Sequence, residues 1–147
     1  MPVHLWSIVC RSSSTDRVTN QISLFEVFEE ITLVSSEAIE AKKGQQVMLP
    51  LDFQVITLWS RSDEARGERA RSRIVVAPPT GKPLLTHVHE MDLTKTLRLR
   101  QTVRFESIPF GGFGSYQFRI QASAPGALSK WRTVKVVPLV VKLGTPA

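Results

Sequence analysis

Lys95-Thr96-Leu97-Arg98-Leu99-Arg100-Gln101-Thr102-Val103-Arg104-Phe105-Glu106 alternates apolar and polar residues almost without fault. Leu97, Leu99, Val103 and Phe105 share one parity, and Arg98, Arg100, Thr102, Arg104 and Glu106 share the other; Gln101 alone breaks the apolar set. Successive side chains of a β-strand point to opposite faces, so this pattern predicts a long strand with one face in a core and the other in water.

A second alternation follows at Ser115 to Ala122, with Tyr116, Phe118 and Ile120 predicted inward and Gln117, Arg119 and Gln121 outward. Between the two, Pro109 and Gly111-Gly112-Phe113-Gly114 end the first strand. Upstream, strands are predicted at Val3 to Cys10, Gln21 to Phe28, Leu51 to Ser60, Arg71 to Ala77 and Leu84 to Met91. Leu51 to Ser60 mixes both parities, as a strand covered on two sides does. Pro78-Pro79-Thr80-Gly81 is turn chemistry, and Arg61 to Glu68 is a charged loop. Pro125-Gly126 turns the chain into a last strand from Lys130 to about Val141. Ser36 to Lys43, closed by Gly44, reads either as the one helical turn of the chain or as a polar insertion without fixed structure. Eight closely spaced strands with almost no helix predict a single all-β domain over residues 1–147, an antiparallel two-sheet sandwich.

With 147 residues the chain is long enough to bury a core without disulfide or metal. Cys10 is the only cysteine, which excludes an internal disulfide and leans toward a reducing compartment. No stretch reaches the roughly 18–20 apolar residues of a membrane span, and Val3 to Cys10 is too short for a signal peptide, so a cytoplasmic protein with no membrane partner is expected. The net charge of +6 is uneven: residues 1–50 hold four Lys or Arg against six acids, and residues 51–147 hold fifteen against seven. Such asymmetry comes from a site for an anionic partner or from pairing between the halves.

Gly114-Ser115-Tyr116-Gln117-Phe118 resembles the start of the penultimate strand in immunoglobulin-like sandwiches, where Gly-x-Tyr sets a tyrosine at the corner. Trp59 falls roughly where those folds bury a tryptophan, while the lone Cys10 departs from their inter-sheet disulfide. Thr19-Asn20-Gln21-Ile22-Ser23-Leu24-Phe25, then Glu29-Glu30-Ile31, Pro78-Pro79-Thr80-Gly81 and the Gly-x-Tyr resemble small uncharacterised bacterial sandwich proteins. The resemblance implies an immunoglobulin-like layout and brings no activity with it.

Four features invite a chemical reading. His87 and His89, two apart on a predicted strand, would point to one face, as in two-histidine metal sites. A metal needs a third or fourth ligand, and Glu90 points away, leaving Met91 or a neighbouring His4; the plain alternative is an ordinary polar face. Arg98, Arg100 and Arg104, with Arg119 on the following strand and Lys130 and Arg132 beyond, suggest a basic sheet face for a polyanion. Here the aromatic residues Phe105, Tyr116 and Phe118 fall on the buried parity, so no base-stacking platform accompanies those arginines. Solvated charges that discourage edge-to-edge aggregation explain them equally.

Gly111 to Gly114 lacks the following helix a phosphate loop requires, and Cys10 reads as a small buried residue. There is no Ser-His-Asp spacing, paired carboxylates or Gly-x-Ser-x-Gly. The expectation is a non-enzymatic binding or protein-interaction module with no cofactor. Nucleic-acid or polyanion binding ranks second, and a metal-dependent enzyme using His87 and His89 third. The apolar end of the last strand, Leu139, Val140 and Val141, is the expected interface of a symmetric homodimer unless covered intramolecularly.

Overall fold

The computed structural model describes residues 1–33, 47–126 and 130–144. Ten strands run through them: β1 (Val3–Thr15), β2 (Ile22–Val27), β3 (Glu30–Leu33), β4 (Met48–Ser60), β5 (Arg69–Ala77), β6 (Leu84–Leu85), β7 (His89–Asp92), β8 (Arg98–Pro109), β9 (Gly114–Ser123) and β10 (Arg132–Leu143). One sheet has the order β2-β1-β4-β8; the other has β3-β10-β9-β5-β6, with β7 also pairing β5. The two pack face to face as a sandwich. No helix occurs among the described residues, and none is long and apolar enough to cross a membrane. The helical turn expected over Ser36 to Lys43 lies outside the described residues.

The strand count rises from eight to ten for two reasons. Glu30–Leu33 leaves the first sheet and joins the second, where it runs parallel to β10 while every other pairing is antiparallel. The strand expected from Leu84 to Met91 is broken: β6 pairs with Val75 and Val76, β7 pairs farther along β5, and 86–88 bridge them.

The core is aromatic. Phe53 of β4 stacks on Phe105 of β8 at 4.8 Å between ring centroids, and both meet Phe118 of β9 edge-on. Tyr116, Phe118 and Ile120 are buried as their parity requires; Leu99 and Val103 are half-buried against the core, and Leu97 is exposed just before β8 begins. Gln101, the polar residue on the inward parity, has a partner from each sheet. Its Oε1 accepts from Trp59 Nε1 at 2.9 Å and from Ser72 Oγ at 2.7 Å, which removes the cost of burying an unpaired amide oxygen.

Two turns lock together at one end of the sandwich. Thr80 donates to Gly111 O through both its backbone N–H and its hydroxyl. A Cβ on Gly111 would fall 1.8 Å from Thr80 O, so only glycine permits that approach. Tyr116 then ties the loop to the core, donating its hydroxyl to Gly112 O at 2.7 Å and accepting from Gly111 N–H at 3.0 Å.

The β1–β2 hairpin is the unexpected element. β1 continues past Cys10, its last partner on β4, for five more residues. The hairpin crosses the outer face of the four-stranded sheet: Ser13 Oγ donates to Gln54 Oε1 at 2.8 Å, and Arg100 Nη2 donates to Asn20 O at 3.1 Å. Ile56 and Cys10 point outward from this sheet, yet both are fully buried and lie outside the intersheet core. The contacts through Gln54 and Arg100 bring the hairpin against that face, beside the buried Ile56 and Cys10.

Candidate anion-binding face

The arginines singled out by sequence do not form one surface. Arg98, Arg100 and Arg104 stand on β8, in the four-stranded sheet, whereas Arg119 stands on β9, in the six-stranded one. Consecutive strands joined across the sandwich present their outward residues on opposite sides of the molecule. Of the first three, Arg104 faces the Asp52 carboxylate with both N–O distances at 3.5 Å. Arg100 is half-buried at the hairpin, and its Nε has no partner. Only Arg98 is exposed with no ion pair among the described residues.

Arg119 belongs to a different group. On the outer face of the six-stranded sheet, Arg73 of β5 pairs with Gln121 of β9, and Arg119 of β9 pairs with Val75 of β5. Arg73 Nε donates to Gln121 Oε1 at 2.8 Å, and Arg119 Nε and Nη2 donate to Gln117 Oε1 at 3.2 and 3.1 Å. Arg71 Nη2 donates to Gly126 O at 2.9 Å and to Ser123 Oγ at 3.2 Å. Every acceptor is neutral. Among the described residues no carboxylate lies within ion-pair distance of these three guanidiniums, although Glu90 sits opposite Arg71 in the register with β7.

Trp131, just ahead of β10, lies over the pair. The Arg73 guanidinium carbon is 4.2 Å from its ring centroid and that of Arg71 is 5.2 Å away, both within cation–π range. The indole is half-buried. Burial and the neighbouring Arg71 charge hold Arg73 below its ordinary value, though a guanidinium so placed stays charged at any working pH. Two like charges held together by neutral groups are electrostatically unfavourable until an anion arrives. Neither arginine was singled out as a site residue from sequence. The available signal was Arg71-Ser72-Arg73 on a predicted strand, where period two puts both arginines on one face.

His87 and His89 line one groove of about 360 Å³ between β6–β7 and the edge strand β8, with Arg104 and Glu106 on the far wall. His89 opens β7, while His87 lies in the break before it, so the single-strand alternation that joined them does not hold. No group of three or more His, Cys, Asp or Glu among the described residues is placed to hold a metal ion. His4 lies elsewhere: it meets Trp59 edge-on at 5.6 Å and hydrogen-bonds Ser7 Oγ, which continues to Thr57 Oγ1.

The interface expected at Leu139 to Val141 is corrected. β10 is flanked by β9 and β3, and Leu139 and Val141 are fully buried core residues; only Val140 reaches the outside. The addition of β3 covers an end that would otherwise have been an edge. Cys10 is also buried, which pushes its thiol up and away from nucleophilic use.

No family model, no curated protein and no solved structure matches this chain.

Proposed function

We propose that the protein is a non-enzymatic binding module, immunoglobulin-like in layout, which holds an anionic partner on the outer face of its six-stranded sheet. The layout is supported by the Tyr116 corner, whose hydroxyl bonds back to Gly112 O four residues upstream, and by Phe118, two residues on, in contact with Phe53 of the other sheet. In disulfide-bearing relatives of this architecture the position two after the corner tyrosine is a cysteine; here an aromatic pair spans the sheets instead.

One observation carries the function. Arg71, Arg73 and Arg119 are grouped on one face and oriented by amide, hydroxyl and carbonyl oxygens, whereas Arg11, Arg69, Arg104 and Lys142 are each paired with a carboxylate; Arg61 and Arg100 also meet only carbonyl oxygens, but neither joins that group. A charge fixed by a neutral acceptor keeps its field and is already positioned, so an incoming anion finds donors that need little reordering.

The test is retention on immobilised heparin at about 0.15 M salt. The wild type and the variant R98Q/R100Q/R104Q are both expected to bind, the variant eluting at only slightly lower salt, and R71Q/R73Q/R119Q to flow through with its fold intact by circular dichroism. Wild-type protein that flows through, or a β8 triple variant that loses retention equally, overturns the assignment.

A further inference from the structure

The Arg–Trp arrangement defines the anion more narrowly. Resting on the reading of this face as an anion site, we propose that its ligand is a single-stranded polynucleotide, with a base stacked on Trp131 and phosphates on Arg71, Arg73 and Arg119.

The argument begins with the ring. Trp131 is the aromatic residue that the sequence reading found missing from the basic parity; it reaches this face from the segment ahead of β10. Arg73 and Arg71 both pack on the indole, which positions the ring before any ligand arrives. A fixed, half-buried indole flanked by free cations combines the two components of single-strand recognition: a charged track for the backbone and a platform for a base. Arg71 and Arg73 are alternate residues of one strand whose guanidiniums converge on the same indole, which concentrates two charges beside the platform. Arg119 adds a third cation on β9, opposite Val75, two residues along β5 from Arg73.

Other polyanions use less of this surface. A duplex hides the faces of its bases, and its grooves are read by a protruding helix or ribbon, whereas the arginines here lie on a sheet face. An acidic peptide would meet the guanidiniums but has no need of an indole, and the abasic and heparin arms below separate a stacked base from a sugar ring laid on it. Gln117 and Gln121 orient the arginines without cancelling their charge, which suits a ligand recognised through its backbone.

Fluorescence anisotropy at about 0.15 M salt, with labelled ten-nucleotide oligomers of deoxythymidine, of uridine and of an abasic deoxyribose-phosphate, tests the proposal; heparin and poly-glutamate serve as competitors. The base-bearing oligomers are expected to bind more tightly than the abasic one by a factor on the order of 5 to 150, the range one stacked base supplies. In W131A that factor falls toward one, whatever the loss of the ring against Arg71 and Arg73 does to both affinities, and W131F retains most of it. The thymidine and uridine arms tell whether DNA or RNA is preferred. Equal wild-type affinity for abasic and base-bearing oligomers overturns the proposal without any variant, and leaves the anion face standing. Poly-glutamate that displaces the thymidine oligomer at lower charge concentration than heparin does overturns it in favour of an acidic protein. Failure of every arm, heparin included, removes the underlying face reading as well.

Discussion

Arg104, on one outer face of the sandwich, lies 3.5 Å from the Asp52 carboxylate; Arg73, on the other, lies against an amide oxygen and an indole ring. Both residues are outward-facing arginines on long strands, and a sequence treats them alike. The β8 side is dressed: Asp52 answers Arg104, and the hairpin tip takes Arg100 Nη2. On the β5–β9 side, the partners supply direction and no negative charge. What separates a basic face from a merely arginine-rich one is therefore the identity of the acceptors and the presence of a cover. Both are set by tertiary structure.

The largest effect expected from breaking this comparison is at the core that holds the faces apart. Phe118 touches Phe53 and Phe105 of the opposite sheet, so Phe118→Ala should cost on the order of 3–5 kcal/mol in urea unfolding. Both faces should lose integrity in one transition. Two separate transitions, one per sheet, would mean the faces are not set by a common core.

Next comes the cover. Ile56 points to the outside of the four-stranded sheet and is fully buried. If the hairpin is a packed layer, Ile56→Ala should behave as a core truncation, about 2–5 kcal/mol. A cost near the few tenths typical of a surface change would show that this face is open, and the contrast with the β5–β9 face would disappear.

These elements also mark how far sequence carries. β8 and β9 were legible because each buries one side and wets the other, which writes period two into the residues. Tyr116 and the two locked turns were legible as turn chemistry, although their docking through Thr80 and Gly111 was not. β3 left no such mark: four residues that change sheets follow β2 almost directly, so the pair reads as one interrupted run. The cover over Ile56 was illegible because a strand buried on both faces looks the same whether the second cover is a sheet or a hairpin. The Arg–Trp cluster unites β5 with the approach to β10, a contact between segments far apart in the chain, and no local period encodes it. Arg119 was named correctly as outward-facing, but the sheet it belongs to depends on a crossing between β8 and β9 that alternation cannot reveal.

A pH series separates the charge of the β5–β9 face from the stability of the fold. Burial, then the charge of Lys135, hold His4 below its ordinary 6.5, with a backbone hydrogen bond working the other way. The unfolded chain then takes up the proton more readily than the folded one, so the contribution is complete above 6.5 and is lost as pH falls through that value. The urea midpoint should decrease between pH 7.5 and 5.5, and His4→Gln should flatten the decrease. Heparin retention, measured well below the melting temperature, should not decline over the same range, since guanidiniums keep their charge throughout. A midpoint that rises on acidification contradicts the burial assigned to His4.

The smallest effect tests whether the dressing on β8 matters. The Asp52–Arg104 pair is exposed on both sides, at 61% and 66%, so Asp52→Asn should change stability by less than about 1 kcal/mol. It also frees one guanidinium on a face where Arg98 and the half-buried Arg100 have no carboxylate partner among the described residues. If acceptor identity is what distinguishes the two faces, Asp52→Asn should move heparin elution to slightly higher salt, and the shift should survive in the R71Q/R73Q/R119Q background. One cation is gained there against three lost, and the hairpin still covers part of the sheet, so the gain should remain well short of wild-type retention. Full restoration by Asp52→Asn in that triple background would identify the β8 face as the principal anion site and invert the comparison.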